Sequence, residues 1–191
     1  NKWLLKVYKI LKKYKISKID HLVYDNKRYP FKINFFNLSS NYFLTNSEKI
    51  QYNKDIDLIV EDFGKELTFQ EQTIFDFINY VQHEEITVDN KNVIGHHFLS
   101  KKYEIDDLLE DTREYILSNR EDLAIQILSV CECDSSLNDD TYEYIICHKL
   151  SQYINKEELL SLTVAKLHRI EQIFSYILIF SALHTEEVTP K

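Results

Sequence analysis

Apolar side chains recur at helical spacing over the first fifteen residues of the chain. They fall three or four residues apart while lysines occupy the other positions, so residues 1–15 predict one amphipathic helix. Its apolar side would be buried against a membrane surface or calmodulin-like partner, against another subunit, or against its own domain. The apolar positions are Trp3, Leu4, Val7, Tyr8, Ile10, Leu11 and Tyr14.

The pattern then changes to short β-type runs. Residues 21–24 and 29–34 flank the turn signal Asp25-Asn26-Lys27 and predict a β-hairpin. A short helical connection is predicted over residues 35–43, and residues 56–60 form a further strand candidate. This part of the chain therefore combines strands and helices.

From Thr68 onward the pattern is helical. Thr68-x-x-Glu71 and Ser118-x-x-Glu121 predict capping boxes, in which a hydroxyl and a carboxylate satisfy backbone N–H groups at a helix start. Near residues 118–120 the mixed pattern gives way to helices alone, which predicts a domain boundary there. The predicted segments are a helix carrying Ile74, Phe77, Ile78 and Val81, an extended piece over 85–88, and helices over 92–103, 105–117, 122–130, 141–154 and 163–183.

Charge is distributed unevenly along the chain. The net charge is −8, yet residues 1–18 hold seven lysines and no acid, which leaves 16 basic against 31 acidic residues, or −15, for the rest. An acidic body argues against a general nucleic-acid binder, because phosphate contacts need a positive surface. Only Gly64 and Gly95 are glycines, which excludes glycine-rich phosphate loops and dinucleotide turns.

The cysteine content and the hydropathy of the chain indicate the cellular compartment in which it is expected. Three cysteines are an odd, small set, which favours a reducing compartment, so we expect a cytoplasmic location. No signal-peptide pattern opens the chain. Residues 173–183 are the longest apolar stretch and are short of the ~20 residues that a bilayer requires, so no membrane span is predicted.

Two clusters have residue types that could bind a metal. Cys131-x-Cys133 with Cys147-His148 offers four zinc-capable groups, but adjacent ligands on a helix diverge by about 100° and the spacing is not that of structural zinc sites. Only one of the neighbours His96 and His97 is expected to face the core.

The sequence contains no nucleophile elbow. We therefore expect no catalytic, cofactor or metal residues, and not an enzyme.

Carboxylates crowd the predicted helix over residues 105–117. Acid–base chemistry, a docking surface for a basic partner and a solvated helix face are the three interpretations, of which the solvated face is favoured. The residues are Asp106, Asp107, Glu110, Asp111 and Glu114.

Several short segments occur in an order and at a spacing typical of one family. They are Asp20-His21-Leu22-Val23-Tyr24, Phe31-Lys32-Ile33-Asn34, Leu38-Ser39-Ser40, Tyr42-Phe43, Ile56-Asp57-Leu58, Ile74-Phe75-Asp76-Phe77 and Asn92-Val93-Ile94. Together they resemble a BTB/POZ domain over about residues 1–118. Apolar series within residues 121–175 are similar to the helical BACK region that often follows such a domain.

The resemblance implies an α+β architecture in two parts. A BTB/POZ-like domain, with a short three-stranded sheet flanked by helices, would span residues 1–118. An all-α BACK-like region would span residues 119–184, and a polar tail residues 185–191.

The resemblance also implies a non-catalytic scaffold or adaptor that binds proteins and associates with itself. In the family the first helix joins the dimer interface, which assigns a homodimer contact to Trp3, Leu4, Val7, Tyr8 and Leu11. A substrate adaptor of a cullin-RING ubiquitin ligase is a second interpretation, although the hydrophobic-x-Glu motif of cullin-binding members is not found between Phe43 and Asp55. A small acidic inhibitor or immunity-type protein, suggested by size and charge, is the third.

Overall fold

The computed structural model of the chain describes residues 19–32, 35–36, 39–46, 55–62, 65–82, 84–130, 137, 141–153, 157–160 and 162–185. The strands are β1 (Ile19–Tyr24), β2 (Lys27–Lys32), β3 (Asp55–Asp57), β4 (Glu61–Asp62) and β5 (Lys65–Glu66). The helices are α1 (Asn41–Thr45), α2 (Glu71–Val81), α3 (Val93–Lys102), α4 (Asp106–Ser118), α5 (Arg120–Val130), α6 (Thr141–His148), α7 (Leu150–Tyr153), α8 (Glu157–Leu160) and α9 (Val164–Thr185). The mixed α+β class is thereby confirmed.

The predicted hairpin is confirmed as β1 and β2. The two strands pair antiparallel with Tyr24 opposite Lys27, which leaves a two-residue turn at Asp25 and Asn26. Both turn residues have positive φ, 49° and 59°, as a type I′ turn requires. Asp and Asn tolerate this left-handed region better than other residues with a side chain, which is why the turn forms at this position.

The predicted third strand is shorter in the structure. β3 pairs in parallel with β1, with Ile56 opposite Leu22, and gives the strand order β2-β1-β3. One further backbone hydrogen bond runs from the Leu58 N–H to the Val23 carbonyl at 2.8 Å, after which the chain leaves the sheet. The small pair β4 and β5 follows, which the pattern did not predict.

The chain divides into two compact units: residues 1–61 with 66–117, and residues 62–65 with 118–191. The core of the first unit contains a cluster of aromatic rings. The Phe36 ring lies 4.7 Å, centroid to centroid, from both Phe31 and Phe43, and Phe43 stacks on Tyr103 at 5.2 Å. Phe77 joins from α2 at 5.7 Å from Tyr103. The apolar series predicted for this helix is buried, as its spacing indicated.

Neither predicted capping box is present. Gln70 is the N-cap of α2, without a side-chain cap, and the Glu71 carboxylate binds the Nζ of Lys27 at 2.7 Å instead. Ser118 is the last residue of α4, so it cannot cap α5, which begins two residues later at Arg120. At Glu71 a tertiary ion pair replaces the cap, whereas at Ser118 the preceding helix α4 includes the predicted capping residue. The extended piece predicted over residues 85–88 belongs to no strand.

Most described residues of the second unit lie in helices. Here α5 packs on α6, and α6 packs on α9. The single helix predicted over 141–154 is instead α6 and α7, separated by a turn at Lys149, whose Nζ pairs with the Glu121 carboxylate of α5. No proline or glycine marks this break, so the residue pattern did not indicate it.

Candidate functional site

Large apolar side chains are exposed on the second half of α9. Tyr176, Leu178 and Ile179 are 76%, 54% and 59% exposed, and we call these three residues the α9 apolar face. Contiguous exposed apolar surface on a protein marks a contact site more often than isolated apolar residues do. The α9 apolar face is therefore the candidate functional site.

The first half of α9 is fixed to its own unit. Ile170 is buried, and its carbonyl accepts a hydrogen bond from the Cys147 thiol of α6 at 3.3 Å. Nε of Arg169 lies 2.8 Å from the buried carboxylate of Glu143, also on α6. The Nζ of Lys166 donates to the Leu128 carbonyl at the end of α5. These contacts all lie before the α9 apolar face begins.

Burial therefore decreases along α9. Ile173, Phe174 and Ile177 are half-buried on the side that continues the Ile170 contact. The remaining sides of the same turns are open, and they also carry apolar residues. A helix that is apolar on most sides but packed on only one exposes hydrophobic surface that a second molecule can cover.

The face has no charged residues of its own. From Ile173 to Ser181 the sequence contains only apolar residues, one tyrosine and two serines. Both serine hydroxyls donate to carbonyls of the preceding turn, Ser175 to Glu171 and Ser181 to Ile177. A buried charge without a partner is the most costly consequence of forming an interface. Burying this segment would leave no such charge.

Val164, at the beginning of α9, is 83% exposed, which is more than any residue of the α9 apolar face. Leu160 of α8, four residues earlier, is also exposed. Twelve residues separate Val164 from Tyr176, which corresponds to about 18 Å along a helix. Polar residues such as His168 and Gln172 lie exposed between them. Val164 is thus a separate exposed position on the same helix.

Cys147 and His148, adjacent on α6, differ in burial. The Cys147 side chain is buried, and burial, with the nearby Glu143 carboxylate adding to it, raises the pKa of its thiol. His148 is exposed. Across the described residues no three histidine, cysteine or carboxylate side chains are grouped so as to hold a metal ion. Cys131 and Cys133 lie outside those residues.

The prediction that only one of His96 and His97 faces the core is wrong, because both are buried. The reason is the position of α3, in which five successive residues from His96 to Ser100 are buried. A helix enclosed on several sides has no solvent side for the second histidine. His97 Nδ1 lies 3.4 Å from the Thr112 hydroxyl of α4.

The five carboxylates predicted as a solvated helix face are all exposed along α4. Two of them act on half-buried Tyr80 of α2, whose pKa is raised to about 12, first by burial and then by Asp111 and Asp107. The residues are Asp106, Asp107, Glu110, Asp111 and Glu114.

The homodimer contact predicted on the first helix, at Trp3, Leu4, Val7, Tyr8 and Leu11, lies outside the described residues. The α9 apolar face was not predicted as a contact. Its signal was present as the apolar run over 173–183, which was considered only as a candidate membrane span. Within the described part of the chain, no helix combines the length and hydropathy required to cross a bilayer.

Comparison with known proteins adds no assignment. The chain matches no family model, and no curated protein matches it.

Proposed function

We propose that this chain is a non-catalytic protein-interaction module that associates with a second copy of itself, as a cytoplasmic scaffold or adaptor. The observation that carries the proposal is the α9 apolar face, where three large apolar side chains are exposed on one short stretch of helix. The resemblance to a BTB/POZ domain followed by a BACK-like region supports the same function. The confirmed hairpin, the parallel third strand and the helices after residue 118 fit that order of elements.

A second copy suits the α9 apolar face for an electrostatic reason. The whole chain carries a net charge of −8, and residues 19–191 account for −15 before the lysines of residues 1–18 are counted, so two copies repel each other where their acidic surfaces meet. The uncharged segment from Ile173 to Ser181 is a place where they can approach without that penalty. A two-fold contact would set Ile179 of one copy against the same face of the other.

The strength of such a contact depends on two free energies, the gain from burying apolar side chains and the cost of association. Burying a large apolar side chain contributes ~1.5–3 kcal/mol, so six of them, three from each copy, give about 9–18 kcal/mol before allowing for the part already buried. Association costs about 4–15 kcal/mol in lost freedom. Because these terms are similar in size, the face alone supports a weak, concentration-dependent dimer. Burial of the apolar residues predicted on the first helix would strengthen it.

The test is the solution mass of the intact chain by light scattering over a concentration series. We expect a mass that rises toward twice 22.9 kDa for the wild type, and a monomer for the double variant Tyr176→Glu with Ile179→Glu. The matched control is Val164→Glu, which replaces an even more exposed apolar residue on the same helix, outside the α9 apolar face. This control should behave as the wild type.

Two outcomes would overturn the proposal. One is a wild-type chain that stays monomeric at every concentration. The other is a dimer whose mass is unchanged in the double variant and in a variant of the first helix, since both contacts would then be excluded. Circular dichroism of each variant confirms that the helices persist.

A further inference from the structure

His96 is a titratable side chain placed where the fold gives it no polar contact. The residue is completely buried within α3, with 0% of its surface exposed. Neither of its ring nitrogens has a hydrogen-bond partner among the described residues. A buried polar atom without a partner destabilises a fold, and a buried charge without one does so far more. The site therefore tolerates neutral imidazole and disfavours imidazolium.

The packing around α3 leaves little room for adjustment. A Cβ atom placed on the neighbouring Gly95 would lie 2.7 Å from the Thr73 methyl group and 3.1 Å from the Phe69 ring, so α2 and the segment before it approach α3 closely. Thr73 is itself buried. Since close-packed interiors relax only in part, solvating a charged ring at this position requires the helices to separate.

Two carboxylates near His96 favour its protonated form, but their effect on its pKa is smaller than that of burial. Asp76 of α2 and Asp89 of the loop before α3 both favour the protonated ring, yet burial dominates and lowers the pKa of His96 to about 4. On α3 itself the adjacent titratable group is His97, which contacts Thr112 of α4. The α4 carboxylates Asp107 and Asp111 act on Tyr80 instead.

We propose that His96 makes the first unit open at acid pH. The folded unit holds the ring in its neutral form, and protonation of the ring separates α3 from α2. This is a conformational device independent of self-association through α9. The sign follows from proton binding. Between pH 6.5, the ordinary pKa of histidine, and about pH 4, the open form binds a proton that the folded form rejects. Stability is therefore full above pH 6.5 and decreases as the pH falls toward 4.

The size of the effect follows from the same two pKa values. Lowering the pH from 7.5 to 5.0 should raise the opening equilibrium constant of the first unit by about 30-fold through this one group. Hydrogen exchange followed by mass spectrometry measures that constant segment by segment in the intact chain. After correction for the intrinsic pH dependence of exchange, protection of α2 and α3 should fall by that factor.

Variants isolate the contribution of His96. His96→Leu and His96→Phe replace the titrating ring with an apolar side chain of comparable size, and in either of them the extra 30-fold change in α2 and α3 should disappear. His168→Gln is the matched control, because His168 is an exposed histidine of α9 in the other unit. In this control the change in α2 and α3 should persist. An equal pH response in wild type and in a folded His96 variant would overturn the proposal.

A measurement on the wild type alone keeps the proposal testable if neither variant folds. In the folded protein the imidazole resonances of His96 should keep their neutral-form chemical shifts from pH 8 down to pH 5. Titration of that ring in the folded state with a midpoint above pH 6 would overturn the proposal, because the folded unit would then accept the proton without opening.

Discussion

The thiol of Cys147 on α6 donates a hydrogen bond to the carbonyl oxygen of Ile170 on α9, at 3.3 Å. Both residues are buried, and the contact lies where α9 is packed most closely on its unit. Arg169, the next residue along the chain, pairs with Glu143 one turn before Cys147. α9 is therefore fixed to its unit along its first half, and the apolar second half continues the same helix.

This burial predicts that Cys147 is chemically inert in the folded protein. The thiolate is the reactive form, and burial both blocks access to it and raises the pKa of the thiol. Alkylation of Cys147 by iodoacetamide, followed by peptide mass spectrometry, should be at least about 10-fold slower in the native chain than in urea. Equal rates in the two conditions would show that the contact between α6 and α9 is not maintained in solution.

Gly95 predicts an unusual response to alanine. In a helix interior Gly→Ala normally stabilises by about 1 kcal/mol through backbone entropy. Here the new methyl group would meet the Thr73 side chain at 2.7 Å, and overpacking costs ~1–3 kcal/mol. Subtracting the first term from the second, we expect a net loss of up to about 2 kcal/mol in urea unfolding. Combining Gly95→Ala with Thr73→Ser, which removes the opposing methyl group, should recover part of it. A more stable Gly95→Ala single variant would contradict the close approach.

Ser40 connects two parts of the first unit. Its hydroxyl oxygen accepts from the Phe43 N–H at 3.2 Å, capping α1, and the hydroxyl donates to the carbonyl of Tyr103 after α3. Ser40→Ala removes the cap and leaves a carbonyl in the interior without this donor, so we expect a loss of about 1–3 kcal/mol in unfolding free energy. The control is Ser39→Ala, which removes only a long hydrogen bond to Val81, at 3.4 Å. Equal losses in the two variants would contradict the double role of Ser40.

The first helix predicted from the sequence gives a test of its own. Trp3→Ala with Val7→Asp removes two apolar residues from the predicted contact and should shift the chain toward monomer in light scattering. Lys12→Asp, on the predicted lysine side of that helix, is the control and should retain the wild-type mass. An unchanged mass in the double variant would exclude the first helix from the interface and leave the α9 apolar face as the proposed contact.

Residue patterns along the chain predicted those elements that residues close in sequence are sufficient to form. The Asp25-Asn26 turn was predicted because few residue pairs with side chains accept positive φ, and the structure shows both residues there. The buried series of α2 was predicted because apolar residues at helical spacing share one side. Mixed α+β class and most helix positions followed in the same way. The BTB/POZ resemblance and the interface at Trp3 remain predictions.

Only the tertiary structure decided which sides of these elements are covered. The spacing of His96 and His97 could not show that α3 is enclosed so that both rings are buried. Likewise, Glu71 resembled half of a capping box, but Lys27 lies 44 residues away in sequence and binds it. The apolar run over 173–183 was visible in the sequence, whereas the partial packing that exposes Tyr176 and Ile179 was not. Burial depends on what lies opposite a residue in space, and residues distant in sequence supply that contact.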